Sequence, residues 1–157
     1  MASILNVDVI KDRNNGNDVK IPGHVVAVHQ FTASEQTVSS AANVINSTFT
    51  PKFDDSKYFV TFTIPNLTLT EGNYFQADVY IGTDSTYSNN TKVIYARTSG
   101  QGTAASNTQT FCASDYGSYT ASSSSTHTVT LRCTPESSTA VARHSATVKM
   151  QVMEIAQ

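Results

Sequence analysis

Apolar side chains recur at every second residue along most of this chain. No stretch of comparable length repeats them at the three- and four-residue spacing of a helix. Residues 57–64 are the clearest case: Tyr58, Val60, Phe62 and Ile64 share one face, with Lys57, Thr61 and Thr63 opposite. Residues 74–81 set Phe75, Ala77, Val79 and Ile81 against Tyr74, Gln76, Asp78 and Tyr80. Residues 126–133 align Val129, Leu131 and Cys133, and residues 146–155 align Ala146, Val148, Met150 and Val152. Residues 24–31 alternate in the same way, and weaker runs occupy 92–98 and 108–113. Successive side chains of a strand point to opposite faces, so this period is that of half-buried antiparallel strands. Composition agrees: 22 Thr, 19 Ser and 15 Val against only 4 Leu favour strands over helices.

Two segments need separate readings. Residues 32–45 are too rich in Ser, Thr and Val for a helix and read as a loop with an edge strand. Near the C-terminus, Met153 and Ile155 fall out of step with Val152, which suggests a β-bulge or an end buried on both sides. Turn clusters separate the runs at Pro65-Asn66, Glu71-Gly72-Asn73, Ser88-Asn89-Asn90, residues 99–102 and residues 122–125. Seven or eight short strands without intervening helices predict an all-β fold, an antiparallel, jelly-roll-like β-sandwich.

The first residues stand apart. Ile4, Leu5, Val7, Val9 and Ile10 form a short apolar segment, followed by an Asn/Gly-rich turn and closed by Pro22 and Gly23. So short a segment cannot bury its own side chains. It either adds an edge strand to the sheet or docks on a partner. We divide the chain into an N-terminal attachment arm, residues 1–22, and a β-sandwich domain, residues 23–157. The opening MASILNVDVIKD lacks the basic start and long apolar core of a secretory signal.

Charge and motifs exclude several functions. With 10 basic and 12 acidic residues the formal charge is −2, too weak a field to draw the chain onto nucleic acid or anionic lipid. No apolar run approaches the roughly 18 residues of a membrane-spanning helix. Cys112 and Cys133 fit no zinc spacing and read as small buried hydrophobes, with a disulfide disfavoured in the absence of an export signal. His24 and His29 are an odd number of residues apart, so one strand would point them to opposite faces. His127 and His144 are isolated, and all four read as surface or edge histidines, with no metal site. Asp54 and Asp55 are adjacent and cannot flank one bond, so they belong to a turn. No serine lies in a nucleophile elbow, and no glycine loop has the lysine and helix that cradle phosphate. The expectation is no catalytic residue, no cofactor and no enzyme. The aromatic residues of Ser/Asn-rich loops, Tyr87 and the pair Tyr116 and Tyr119 within FCASDYGSYTASSSS, are the candidate host or glycan contacts.

Several segments resemble the small β-rich virion and tail-fibre-like proteins of tailed bacteriophages, especially those infecting marine cyanobacteria. They are the opening ILNVDVIKD with the following IPGHVVAVHQ, Phe49-Thr50-Pro51-Lys52-Phe53 ahead of residues 57–64, and the ending Val152-Met153-Glu154-Ile155-Ala156-Gln157. Residues 71–143 carry no distinctive likeness. The resemblance implies a sandwich that is often trimeric and an N-terminal segment joined to the particle or to an upstream shaft. This chain carries no shaft repeats, which points to a short fibre or knob. The expected protein is therefore a homotrimeric virion appendage, assembled in the host cytoplasm. Its partners would be itself, other virion proteins of capsid, tail or fibre shaft, and a host surface glycan. A capsid decoration protein and a free lectin-like module are the rivals.

Overall fold

The alternating runs pair in nested order in the computed structural model, which describes residues 21–69, 74–99, 107–122, 125–135, 142–144 and 147–157. Strand β1 (Val25–Ala33) lies antiparallel to the last strand, β10 (Val148–Ile155). Inside that pair, β3 (Ala42–Phe49) joins β8 (His127–Pro135), and β4 (Lys57–Leu69) joins β7 (Asn107–Thr120). At the centre, β5 (Tyr74–Gly82) joins β6 (Thr91–Ser99). Two further antiparallel pairings, β10 with β4 and β5 with β8, knit these hairpins into the sheets β1-β10-β4-β7 and β3-β8-β5-β6. First strand with last, folded inward to a central hairpin and divided between two sheets, is the jelly-roll arrangement.

Two short strands extend the first sheet. β2 (Gln36–Val38) pairs with β9 (Ala142–His144), and β9 pairs with β4 at Leu67 and Thr68. They continue the lanes of β1 and β10 with a one-residue offset. Thr63 faces Lys149 and Leu67 faces His144, four residues on one side against five on the other. The segment 32–45, expected to be a loop with an edge strand, thus supplies the end of β1, all of β2 and the start of β3, itself an edge strand.

The core lies between the sheets and is built from the faces expected of it. Tyr58, Val60, Phe62 and Ile64 of β4 meet Phe75, Ala77, Val79 and Ile81 of β5, with Val129, Leu131 and Cys133 of β8 and Val148, Met150 and Val152 of β10. Each is essentially inaccessible to water, and each large aliphatic or aromatic chain there contributes roughly 1.5–3 kcal/mol through burial.

Bulges account for the places where parity fails. Val44 and Ile45 are both buried because two residues of β3 oppose one of β8 between Asn43 and Ile45. Val93 and Ile94 are both buried for the same reason opposite β5. Pro65-Asn66, expected to be a turn, instead forms a bulge within β4, with Asn66 at φ 51°. Proline is tolerated there because the bulge removes the need for its missing N–H.

Three other expectations are corrected. The loop around Tyr116 and Tyr119 is the second half of β7, whose Ser- and Gly-rich run hides its alternation. Between Tyr116 and Thr120 this strand bulges against β4 at Gly117, whose φ is 78°. Cys112 is exposed because its position on β7 points away from the core, whereas Cys133 is buried; both are free thiols. The C-terminal parity does not switch: Val152 and Glu154 both face inward, and the register of β10 against β4 is unbroken through Ile155. The bulge lies instead in β1, between Val25 and Ala27.

An acid at an inward position needs partners, and Glu154 has them. Its Oε1 accepts hydrogen bonds from the backbone N–H of Lys52 (2.9 Å), the backbone N–H of Phe53 (2.9 Å) and Ser56 Oγ (2.7 Å). Oε2 shares the Lys52 N–H at 2.9 Å. The last strand thereby holds the link between β3 and β4, where the chain crosses from one sheet to the other. Asp54 and Asp55 lie in that link, as a turn, in agreement with the sequence.

Replacing Glu154 with alanine strands three donors at once, and its expected cost is about 3 kcal/mol or more in urea unfolding. Glu154→Gln can keep an acceptor oxygen at the Oε1 position but turns an amide N–H toward the Lys52 N–H in place of Oε2. It loses charge assistance and that second contact, so its cost is expected to be about 1–2 kcal/mol, below that of alanine.

Candidate functional site

Two outer faces and one buried cluster are the places where the described residues can do more than fold. The three tyrosines singled out from the sequence are distributed among all three.

On the outer face of the β1-β10-β4-β7 sheet, register alone sets up an apolar row. Val28 faces Met153, Met153 faces Phe59, and Phe59 faces Tyr116, so four adjacent strands each contribute one side chain. Val28 is 49% exposed and Tyr116 56%, while Met153 and Phe59 between them are half-buried. The next row toward the chain termini adds Val25 and Ile155, which face each other, and Val25 is 52% exposed. In the other direction the face turns polar at once, with Gln30, Gln151, Thr61 and Ser114. The signal for this row is present in the sequence as residues out of step: Phe59 on the polar side of its run, Met153 and Ile155 beside Val152. Only pairing shows that they coincide. Tyr116 belongs here, on a strand and not on a loop.

The outer face of the β3-β8-β5-β6 sheet is polar and aromatic. Asp78 lies at its centre and is 4% exposed, because neighbouring side chains cover it. Its Oδ2 accepts from Gln76 Nε2 (2.7 Å), Lys92 Nζ (3.1 Å) and Tyr80 OH (3.5 Å). Lys92 also lies 5.3 Å from the centres of both the Tyr80 and Tyr95 rings. Arg132, directly opposite Asp78, turns away from it. Its NH1 donates to Asn43 Oδ1, and its guanidinium lies 4.5 Å from the centre of the Tyr87 ring. Tyr87 is therefore engaged: it lies on a single 3-10 turn, edge-on to Tyr80, beneath a cation. Asp84 holds that turn by accepting from the Thr86 N–H and the Asn89 amide, and these bonds lower its pKa.

The buried cluster closes one end of the sandwich. The rings of His29, Tyr58 and His127 all lie against Phe49, at centre distances of 4.7, 5.6 and 5.7 Å. Tyr119 packs on Tyr58 and His127 from β7, which places it inside and not in a recognition loop. His127 is fully buried, correcting its reading as a surface or edge histidine, because it begins β8 on the inward face. His29 is half-buried on the inner side of β1, while His24 is exposed. His127 Nδ1 donates to the Ser125 carbonyl at 2.7 Å, which leaves Nε2 bare. Among the described residues, His29 Nε2, His127 Nε2 and Tyr58 OH in this cluster are buried without a hydrogen-bond partner, as is Asp78 Oδ1 beneath the other sheet's outer face. Burial lowers the His29 pKa against an opposing pull from Glu154, and burial with that same carboxylate raises Tyr58.

No group of three His, Cys, Asp or Glu side chains converges on a metal-sized site among the described residues. The attachment residues Ile4, Leu5, Val7, Val9 and Ile10 lie outside the described residues, as do the side chain of His144 and most of the segment 99–102.

No protein-family model matches the chain, and no curated protein is similar to it in sequence. Among solved structures, it is similar to the VP2 subviral particle of infectious bursal disease virus, at 13% identity and a TM-score of 0.43. That match covers 98% of this chain and 42% of the other. It is also similar to the structure of the Gx strain of that virus, at 14% identity and a TM-score of 0.41, covering 96% of this chain and 42% of the other. The chain thus spans less than half the length of these proteins.

The buried cluster makes stability depend on pH in two directions. Because the folded pKa of His29 is lowered, its contribution is complete above the ordinary value of 6.5 and is lost as pH falls through the folded value. Tyr58 is raised by burial, and burial pushes the Cys133 thiol up to about 12. Their contributions are complete below their ordinary values and are lost as pH rises past them. Thermal melting is therefore expected to plateau near neutral pH and to decline on both sides. In a His29→Leu variant the acid-side decline should become shallower.

Proposed function

We propose that the chain is a non-enzymatic structural protein of a viral particle, and that its jelly roll assembles through the outer face of the β1-β10-β4-β7 sheet. The observation that carries this reading is the apolar row Val28, Met153, Phe59 and Tyr116, extended by Val25 and Ile155. A contiguous apolar strip rimmed by polar residues marks a contact surface, since nothing within the folded domain gains from leaving it in water. The core is complete without it.

The occupant we assign is a second copy of the chain. The chain enters the sandwich beside this row. Gly23 N–H donates to the Ala156 carbonyl at 2.7 Å, and Ala156 N–H donates to the His24 carbonyl at 3.0 Å. Residues 1–20 therefore join at the same end of the sheet as Val25 and Ile155. In such an assembly Ile4, Leu5, Val7, Val9 and Ile10 are the residues we assign to contacts with other virion proteins. A trimer requires that unlike parts of this face meet on neighbouring copies, which is the contact we assign. The finer reading is a homotrimeric short fibre or knob of a tailed phage, supported by the sequence resemblance and by this surface.

The test is molar mass by light scattering. The intact chain is expected to be a trimer. A Val28→Lys, Tyr116→Ser double variant is expected to be a monomer whose melting temperature barely changes, because both residues are exposed and surface substitutions typically change stability by about 0.5 kcal/mol or less. A monomeric intact chain would overturn the assembly reading and favour a decoration protein organised by a capsid lattice, or a lectin-like module.

A further inference from the structure

We infer that the outer face of the β3-β8-β5-β6 sheet carries a binding site for an acidic saccharide, centred on Arg97. Three observations on this face converge. The first is an uncompensated, oriented cation. Arg97 faces Gln76 in register, and its Nε donates to Gln76 Oε1 at 3.1 Å. Its guanidinium lies 5.3 Å from the centre of the Tyr95 ring. The amide and the ring fix the plane of the guanidinium and leave its terminal N–H fork without a partner among the described residues. The central acid does not pair with it: Asp78 Oδ2 is engaged with Lys92, Gln76 and Tyr80, and Oδ1 is buried with no hydrogen-bond partner among the described residues. A fixed guanidinium fork matches a carboxylate in two parallel hydrogen bonds, and its binding geometry is already set before the ligand arrives.

The second observation is shape. Tyr74, Gln76, Arg97, Thr134 and Pro135 line a depression of about 210 Å³, open to solvent. Its floor is one register row, in which Gln76 has Arg97 on one side and Thr134 on the other. The volume suits one or two sugar rings, and the lining offers an amide, a hydroxyl and a guanidinium for hydroxyl and carboxylate groups.

The third is the exposure of rigid rings beside that depression. Tyr95 is 56% exposed and Tyr74 is 48% exposed. Each presents apolar area at little cost in side-chain entropy, against which the C–H face of a sugar can stack. A second cation, Arg132, lies one row away and two strands across. At strand spacings of about 4.8 Å and about 6.8 Å per row, the two arginine Cα atoms are roughly 12 Å apart. With its guanidinium held by Asn43 and Tyr87, Arg132 adds positive field to the site and not a second direct contact. A neutral sugar would use the rings and the amide but would leave the fork of Arg97 unmet. The assembly face proposed above lies on the opposite side of the sandwich, so this site stays open whether or not the copies associate.

The probes are trigalacturonic acid and, as the neutral counterpart, maltotriose, each titrated into the intact chain and followed by backbone and arginine side-chain amide NMR shifts. The acid is expected to move the resonances of Gln76, Arg97 and Thr134, to weaken as salt is raised, and to bind at least about tenfold more tightly than maltotriose. Arg97→Gln should weaken it by about tenfold or more, while Arg97→Lys, which keeps the charge but not the fork, should fall in between. Tyr95→Ser should weaken both sugars, and the acid more, because it also frees the Arg97 guanidinium from its ring. Equal affinity for the two probes, shifts confined to other faces, no shifts at all, or unchanged binding in both Arg97 variants would overturn the site. Because the molar mass is read separately, failure here leaves the assembly reading standing.

Discussion

The carboxylate of Glu154 holds the link by which the chain crosses from β3 in one sheet to β4 in the other. In a jelly roll the chain must pass repeatedly from one sheet to the other, and each passage leaves backbone groups that no ladder satisfies. The β3–β4 passage is solved by one buried acid, which accepts from two consecutive backbone N–H groups and a buried hydroxyl. The link is tied in turn to β7, since the Ala121 N–H donates to the Ser56 carbonyl at 3.0 Å. The ring cluster around Phe49 is assembled just inside this junction. Its two histidines and Tyr58 lie within the field of that carboxylate or against the rings packed beside it. One negative charge thus orders a turn, aligns β4 with β10, and shapes the electrostatics of the end of the core.

With the interior settled, the two outer faces divide the remaining chemistry. Both are sheets of half-buried strands, yet one carries Val, Met, Phe and Tyr in a single row, and the other carries arginine and lysine stacked on tyrosine. The difference follows from which residues the registers place side by side. An apolar row gains from being covered by another protein surface. A face of fixed cations and exposed rings gains from a ligand with charge and hydroxyls. The sandwich is thick enough that neither use obstructs the other.

Much of the fold was legible because burial imposes a period. The faces of residues 57–64, 74–81 and 126–133 were readable in advance, as was the sandwich class, since alternation and Leu-poor composition are local properties. Legibility ended at bulges and at long-range pairing. Val44 beside Ile45 and Val93 beside Ile94 look aperiodic until the opposing strand shows the extra residue. β7 hid behind serine and glycine, so Tyr116 and Tyr119 looked like loop residues. Tyr119 faces inward and packs half-buried against the core, Tyr116 is on an outer face, and Tyr87 is pinned under Arg132. His127 looked isolated because its neighbours, Phe49 and Tyr119, are distant in sequence.

The sequence by itself determined that this chain makes strands and which sides of most of those strands are dry. These follow from the composition and spacing of neighbouring residues. Only the tertiary structure decided that Glu154 is an interior acceptor, that four off-parity or exposed apolar residues form one row, and that Arg97 has a ring and an amide to hold it but, among the described residues, no acid paired with it. Each depends on register between strands far apart in the chain, and a shift of one residue would send every such side chain to the opposite face.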